Sequence, residues 1–206
     1  HADDVIVTPG AAAALFATAT SLLDPGDHVV VVRTNYATNL ETPRAIGADL
    51  EVVDLSFADG WRLDIDRVAA LVRPGTTRLI SVTCPHNPTG TMLDLVSLHA
   101  LVELAESSGA VLLVDETYRE LTHTSPLPMA ATLSPRAICV STVFSEIPSR
   151  SAICAYVISL AQRSRQIVRR FAGSSASARS IAASISPFST AASVASPGEP
   201  GGSCAT

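Results

Sequence analysis

The 206-residue chain has no lysine: all fourteen of its basic residues are arginine. No side chain therefore offers a primary amine to an aldehyde, and the permanently protonated guanidinium does not replace one. A GC-rich genome accounts for the bias. Aromatic residues make up only 4% of the chain and charged residues 16%. A net charge of −5 argues against nucleic acid or an anionic membrane as the main partner. No apolar run approaches the ~18 residues that span a bilayer. His1-Ala2-Asp3-Asp4 shows no basic region or signal-peptide core. The four cysteines, Cys84, Cys139, Cys154 and Cys204, form no CxxC pair and no metal-ligand spacing, so reduced thiols in a cytoplasmic protein without a metal site are expected.

Apolar residues are abundant, at 47% of the chain, which supplies a core and excludes bulk disorder. Charge is unevenly placed. Residues 1–145 carry 17 acidic groups against 8 arginines, whereas residues 146–206 carry 2 acidic groups against 6 arginines. Composition shifts as well: ten Ser and eight Ala fill the 34 positions from Gly173 to Thr206. Such a stretch buries too little surface to offset chain entropy. The expected organisation is one domain over 1–145 and a disordered Ser/Ala-rich tail over 146–206.

Within the first 145 residues, strand and helix signals alternate. Val5–Thr8 is a short β-branched run stopped by Pro9-Gly10, and strong helix formers follow from Ala11 to Leu23. Strands are expected at His28–Val32, Leu50–Leu55, Arg78–Thr83, Ala110–Val114 and Arg136–Ser141. Helices are expected at Asn39–Ile46, from an Asp64 cap to Val72, and at Met92–Ser108. Continuously apolar strands alternating with helices predict an α/β fold, a three-layer α/β/α arrangement around a mainly parallel sheet.

Ligands in such folds sit beyond the carboxyl ends of the strands. There the chain places Gly10, Ala11 and Ala12, a small-residue turn opening a helix, whose free N–H groups suit a phosphate or simply make a tight turn. Tyr36 can stack on a flat ring or pack on the surface. The run Cys84-Pro85-His86-Asn87-Pro88-Thr89-Gly90 presents Asn87 on a stiffened loop. Asp115, Glu116 and Tyr118 follow the next strand. A carboxylate there suggests a cationic partner, or for Asp115 alone a helix cap.

Together the glycine turn, the loop aromatic, Asn-Pro-Thr-Gly and Asp-Glu-x-Tyr resemble the class I/II aminotransferases, fold-type I pyridoxal-phosphate enzymes. The resemblance covers about residues 3–145, a partial cofactor-binding large domain. It implies pyridoxal 5′-phosphate as cofactor, with Asp115 pairing the pyridine nitrogen. Asn87 and Tyr118 would bond the phenolic oxygen, and Tyr36 would stack on the ring. Gly10, Ala11, Ala12 and Thr142 would hold the phosphate. It also implies an amino-acid substrate, amino transfer to a 2-keto acid and a homodimer. Thr42-Pro43-Arg44-Ala45-Ile46-Gly47 adds a likeness to capreomycidine synthase-like enzymes of arginine-derived amino acids.

The same resemblance calls for a lysine after the last strand, and Ser145 or Glu146 stands in its place. The expected consequence is a truncated cofactor-binding domain with no catalytic residue. A reading-frame error beyond about residue 143 would explain such a truncated domain; the alternative is a genuine lysine-free binding or regulatory remnant. A nucleotide-binding protein with a Gly-x-Gly-x-x-Gly turn is disfavoured, because Thr8-Pro9-Gly10-Ala11-Ala12-Ala13 lacks that pattern.

Overall fold

The computed structural model describes residues 5–122, 127–128, 130–144 and 154–160. Valine-rich and leucine-rich runs form its sheet because branched side chains suit a pleated surface buried on both faces. The strands are β1 (Val5–Thr8), β2 (His28–Arg33), β3 (Asp49–Asp54), β4 (Thr77–Thr83), β5 (Val111–Glu116), β6 (Ala137–Phe144) and β7 (Cys154–Leu160). Between them run α1 (Ala11–Leu22), α2 (Ala37–Ile46), α3 (Ile65–Leu71), α4 (Leu95–Ser108), one 3-10 turn at Arg119–Leu121, and the short α5 (Ala130–Leu133).

Strand order is β1-β7-β6-β5-β4-β2-β3. Strands β2 to β6 are parallel, while β7 runs antiparallel to both β6 and β1. The α/β class with a mainly parallel sheet is therefore observed. Strand β7 lies inside the stretch 146–206 that composition set apart from the domain. The sheet thus continues past residue 145, while residues 161–206 lie outside the described residues.

The two faces bury separate cores. Leu15, Ala19 and Leu22 of α1 pack with Val29, Leu79, Leu113, Ile138 and Val140. On the other face Val68 of α3 and Leu98, Leu101 and Ala105 of α4 pack with Val30, Ile80, Leu112, Val114 and Cys139. Alternation along β5 consequently sends Asp115 to the first face and Glu116 to the second.

Local chemistry sets the helix ends. Asp64 caps α3 by accepting from the N–H groups of Asp66 and Arg67, a contact worth about 1 kcal/mol. Helix α4 starts at Leu95, not at Met92 as expected, because Asp94 is extended and its side chain caps the helix by accepting from the Ser97 N–H. Gly47 ends α2 in the left-handed conformation at φ 90°, which costs glycine nothing. Thr42 and Pro43 are buried on α2, so most of the hexapeptide Thr42–Gly47 is used for packing and helix termination. Among the described residues no helix is long and apolar enough to cross a membrane.

Candidate functional site

Going outward from β5, the next strand on one side is β6 and on the other β4, then β2 and β3, so chain order reverses between β2 and β4. Such a switch leaves a crevice at the carboxyl edge, where connections diverge to opposite faces. Thr83 ends β4 directly beside Asp115 of β5. Asn35 and Tyr36 follow β2, and the Cys84–Thr91 loop follows β4. Strand β1 runs in the same direction as β6, so Gly10 and the start of α1 reach this edge too.

Asp115 is the centre of the arrangement. It is the fifth residue of β5, inside the strand rather than beyond it as expected, and only 3% exposed. Its Oδ1 accepts from the Thr117 N–H at 3.1 Å and the Thr117 hydroxyl at 2.6 Å. Its Oδ2 accepts from Asn39 Nδ2 at 3.1 Å. All three donors are neutral, and among the described residues no ion pair to Asp115 is found. A carboxylate has about four acceptor positions, so capacity for one more donor is left. A buried carboxylate held only by neutral groups is suited to a cation arriving from outside.

The other expected contacts are placed around that edge. Tyr36 is the residue preceding α2 and is 43% exposed. Asn87 is half-buried. Its loop is braced by His86, whose Nδ1 lies 2.7 Å from Thr89 Oγ1, and by the Thr89–Thr91 hydroxyl contact at 2.9 Å. Burial pushes the His86 imidazole below its usual range. Tyr118 is 40% exposed at the head of the 3-10 turn. Gly10 precedes α1 at φ 119° and supplies no side-chain cap. The N–H groups of Ala11 and Ala12 thus stand at an uncapped helix start. Thr142 lies in β6 one residue beyond Ser141, the partner of Glu116. Its side chain, like Ser145 and Glu146, lies outside the described residues.

Hydrogen bonds join Asp115 to Asn39, Asn35 and the Tyr36 amide. Topology alone brings Gly10, Asn87 and Tyr118 to the same edge. Sequence reasoning missed Asn35, Asn39 and Thr117. One signal was available for Asn39: a polar residue with poor helix propensity lies inside α2, at a position that proves 4% exposed.

Glu116, on the opposite face, belongs to a different cluster. It is 4% exposed; its Oε2 accepts from Arg119 Nη1 at 2.9 Å, and Oε1 receives the Cys139 thiol at 3.3 Å. Burial raises its carboxyl above the ordinary range, with Arg119 opposing. The folded state thus binds this proton more tightly than the unfolded chain does. The associated stability is fully present below the ordinary glutamate value of about 4.3 and is lost as pH rises through the raised folded value. Urea midpoints of the parent chain are expected to fall relative to Glu116→Gln as pH is raised from about 4 to about 7. A difference that does not change with pH would show that burial leaves Glu116 unshifted.

The sequence profile of the aminotransferase class I and II family matches residues 1–195. An arginine–pyruvate transaminase of Pseudomonas aeruginosa is 37% identical over 129 residues, 61% of this chain and 33% of that protein. A probable N-succinyldiaminopimelate aminotransferase of Mycobacterium tuberculosis is 35% identical over 130 residues, 62% of this chain and 32% of its own length. The chain thus spans about a third of the curated relatives it matches. Among solved structures, a PLP-dependent aminotransferase from Streptococcus suis superposes with a TM-score of 0.71 at 28% identity. That alignment covers 82% of this chain and 45% of the other. Aspartate aminotransferase from Thermus thermophilus with maleate gives 0.70 at 25% identity, covering 84% and 45%.

Proposed function

This chain belongs to the class I and II aminotransferase family, and we propose that it is the cofactor-binding part of such an enzyme, inactive in transamination as it stands. One observation carries the reading: Asp115 is a buried carboxylate at the switch point with only neutral donors. That environment fits the protonated pyridine nitrogen of pyridoxal phosphate, the cofactor of this family. When bound, the cofactor supplies an electron sink for the α-carbon of an amino acid. Asp115 would keep the ring nitrogen protonated. Asn87 and Tyr118 would donate to the phenolic oxygen, and exposed Tyr36 would stack on the ring. Gly10 would leave room for the phosphate, which the Ala11 and Ala12 N–H groups and the Thr142 hydroxyl would bind.

In the parent enzyme the substrate class would be an amino acid with a 2-keto acid as acceptor, and the assembly a homodimer. Inactivity follows from the missing lysine, since neither Ser145 nor Glu146 holds and moves a proton as a neutral amine does. The surroundings of Asp115 are also compatible with a second reading, a binding or regulatory protein that holds the cofactor without chemistry. The nucleotide sequence separates the two: a family-like open frame carrying the lysine points to a disrupted enzyme. Titration with pyridoxal phosphate tests both at once. Saturable binding, weakened when pyridoxal without phosphate is used, is expected; absence of saturable binding would remove both readings.

A further inference from the structure

Asn35 has four hydrogen bonds, and the cofactor contacts just assigned use none of them. Its Oδ1 accepts from the Tyr36 N–H at 2.7 Å, from Thr83 Oγ1 at 2.9 Å and from Asn39 Nδ2 at 3.2 Å. Its Nδ2 donates to the Val32 carbonyl at 3.2 Å. Three donors on one side and a carbonyl on the other leave one orientation for the amide. Asn39 is oriented in turn. Its two amide protons go to Asn35 Oδ1 and Asp115 Oδ2, while its own Oδ1 is buried without a partner among the described residues. Reversing Asn39 would face that oxygen with two acceptors, so the orphaned oxygen is the lesser penalty.

We propose that Asn35 is a positioning residue that sets Tyr36 and Asp115 together. One oxygen fixes the backbone of the stacking aromatic and, through Asn39, the carboxylate that meets the ring nitrogen. Thr83, the register partner of Asp115, ties the same oxygen to the sheet. A ring held at its face by Tyr36 and at its nitrogen by Asp115 needs both contacts in one geometry, and Asn35 is bonded toward each. The inference rests on the cofactor reading above.

The test compares binding of pyridoxal phosphate with that of its 1-deaza analogue, in which C–H replaces the ring nitrogen. A contact to the nitrogen appears in the ratio of the two affinities, whereas general loosening weakens both ligands alike. The parent chain is expected to prefer pyridoxal phosphate. In Asn35→Ala the ratio should fall about tenfold, the scale of one well-aimed hydrogen bond. Asn35→Asp keeps the acceptor for Tyr36, Thr83 and Asn39 but loses the donor to the Val32 carbonyl, and should retain more of the ratio than Asn35→Ala. Thr83→Val removes one donor to Asn35 at nearly constant volume. It should lower the ratio about threefold, which secures a result if the alanine variant does not fold. Equal weakening of both ligands in Asn35→Ala and Thr83→Val would overturn the positioning role. A parent chain with no preference would overturn the Asp115 assignment itself, and the inference with it.

Discussion

Asp115→Ala is expected to weaken binding of pyridoxal phosphate by about a hundredfold to a few thousandfold. Removing one partner of a buried ion pair costs about 3–5 kcal/mol, and each 1.4 kcal/mol is about tenfold in affinity. Tyr36→Ala is expected to cost far less. Stacking contributes roughly 0.5–1.5 kcal/mol beyond area burial, and Tyr36 is 43% exposed before any ligand arrives. Titration followed by quenching of the single tryptophan, Trp61, or by cofactor absorbance, separates the two. Equal losses, or none in Asp115→Ala, would remove Asp115 from the site. Its surroundings make the comparison clean: Asn39 and Thr117 are neutral, so truncation orphans no protein charge and the uncompensated charge is that of the bound ring alone.

The second large effect concerns covalent chemistry. Mixing the chain with pyridoxal phosphate and reducing with borohydride is expected to leave no pyridoxyl group on any of its side chains. No side chain of the 206 residues carries a primary amine, and guanidinium groups stay protonated. Turnover of amino acid to keto acid should be absent. Introducing lysine by Ser145→Lys or Glu146→Lys should place a reducible adduct at the new residue, because these positions follow β6 where the resemblance calls for the amine. Mass spectrometry of the digest reads both outcomes. A stoichiometric adduct on an internal residue of the parent chain, or turnover proportional to its concentration, would overturn the inactive reading.

Much of the frame was legible from residue order because its causes are local. The apolar runs at β2, β4 and β5 mark strands buried on both faces, and each lies within a residue or two of its expected bounds. Asp64 announced the start of α3 because a cap needs only the next three residues. Asp94 could have done the same for α4, but the apolar pair Met92-Leu93 masked it and moved the expected start three residues early. The identity of Asp115, Asn87 and Tyr36 as candidates followed from their places after or at the ends of strands. Strand β7 was missed because its seven residues lie beside a Ser- and Ala-rich stretch and gain regular partners only from β6 and β1.

Residue order therefore carried the α/β alternation, six of the seven strands, the candidate edge and the absence of a side-chain amine. The reversal between β2 and β4 needed three dimensions, since hydrogen-bond pairing between strands depends on crossover and packing, and neither has a local signature. The same holds for the contact between Asn39 and Asp115, which spans 76 residues of chain. A lone carboxylate reads as a helix cap or a cation partner until its burial and its donors are seen. Burial to 3% exposure among neutral donors is produced by packing β5 between β4 and β6 beneath the start of α2. That packing excludes water from Asp115, and on the proposed reading its charge is met by the bound cofactor.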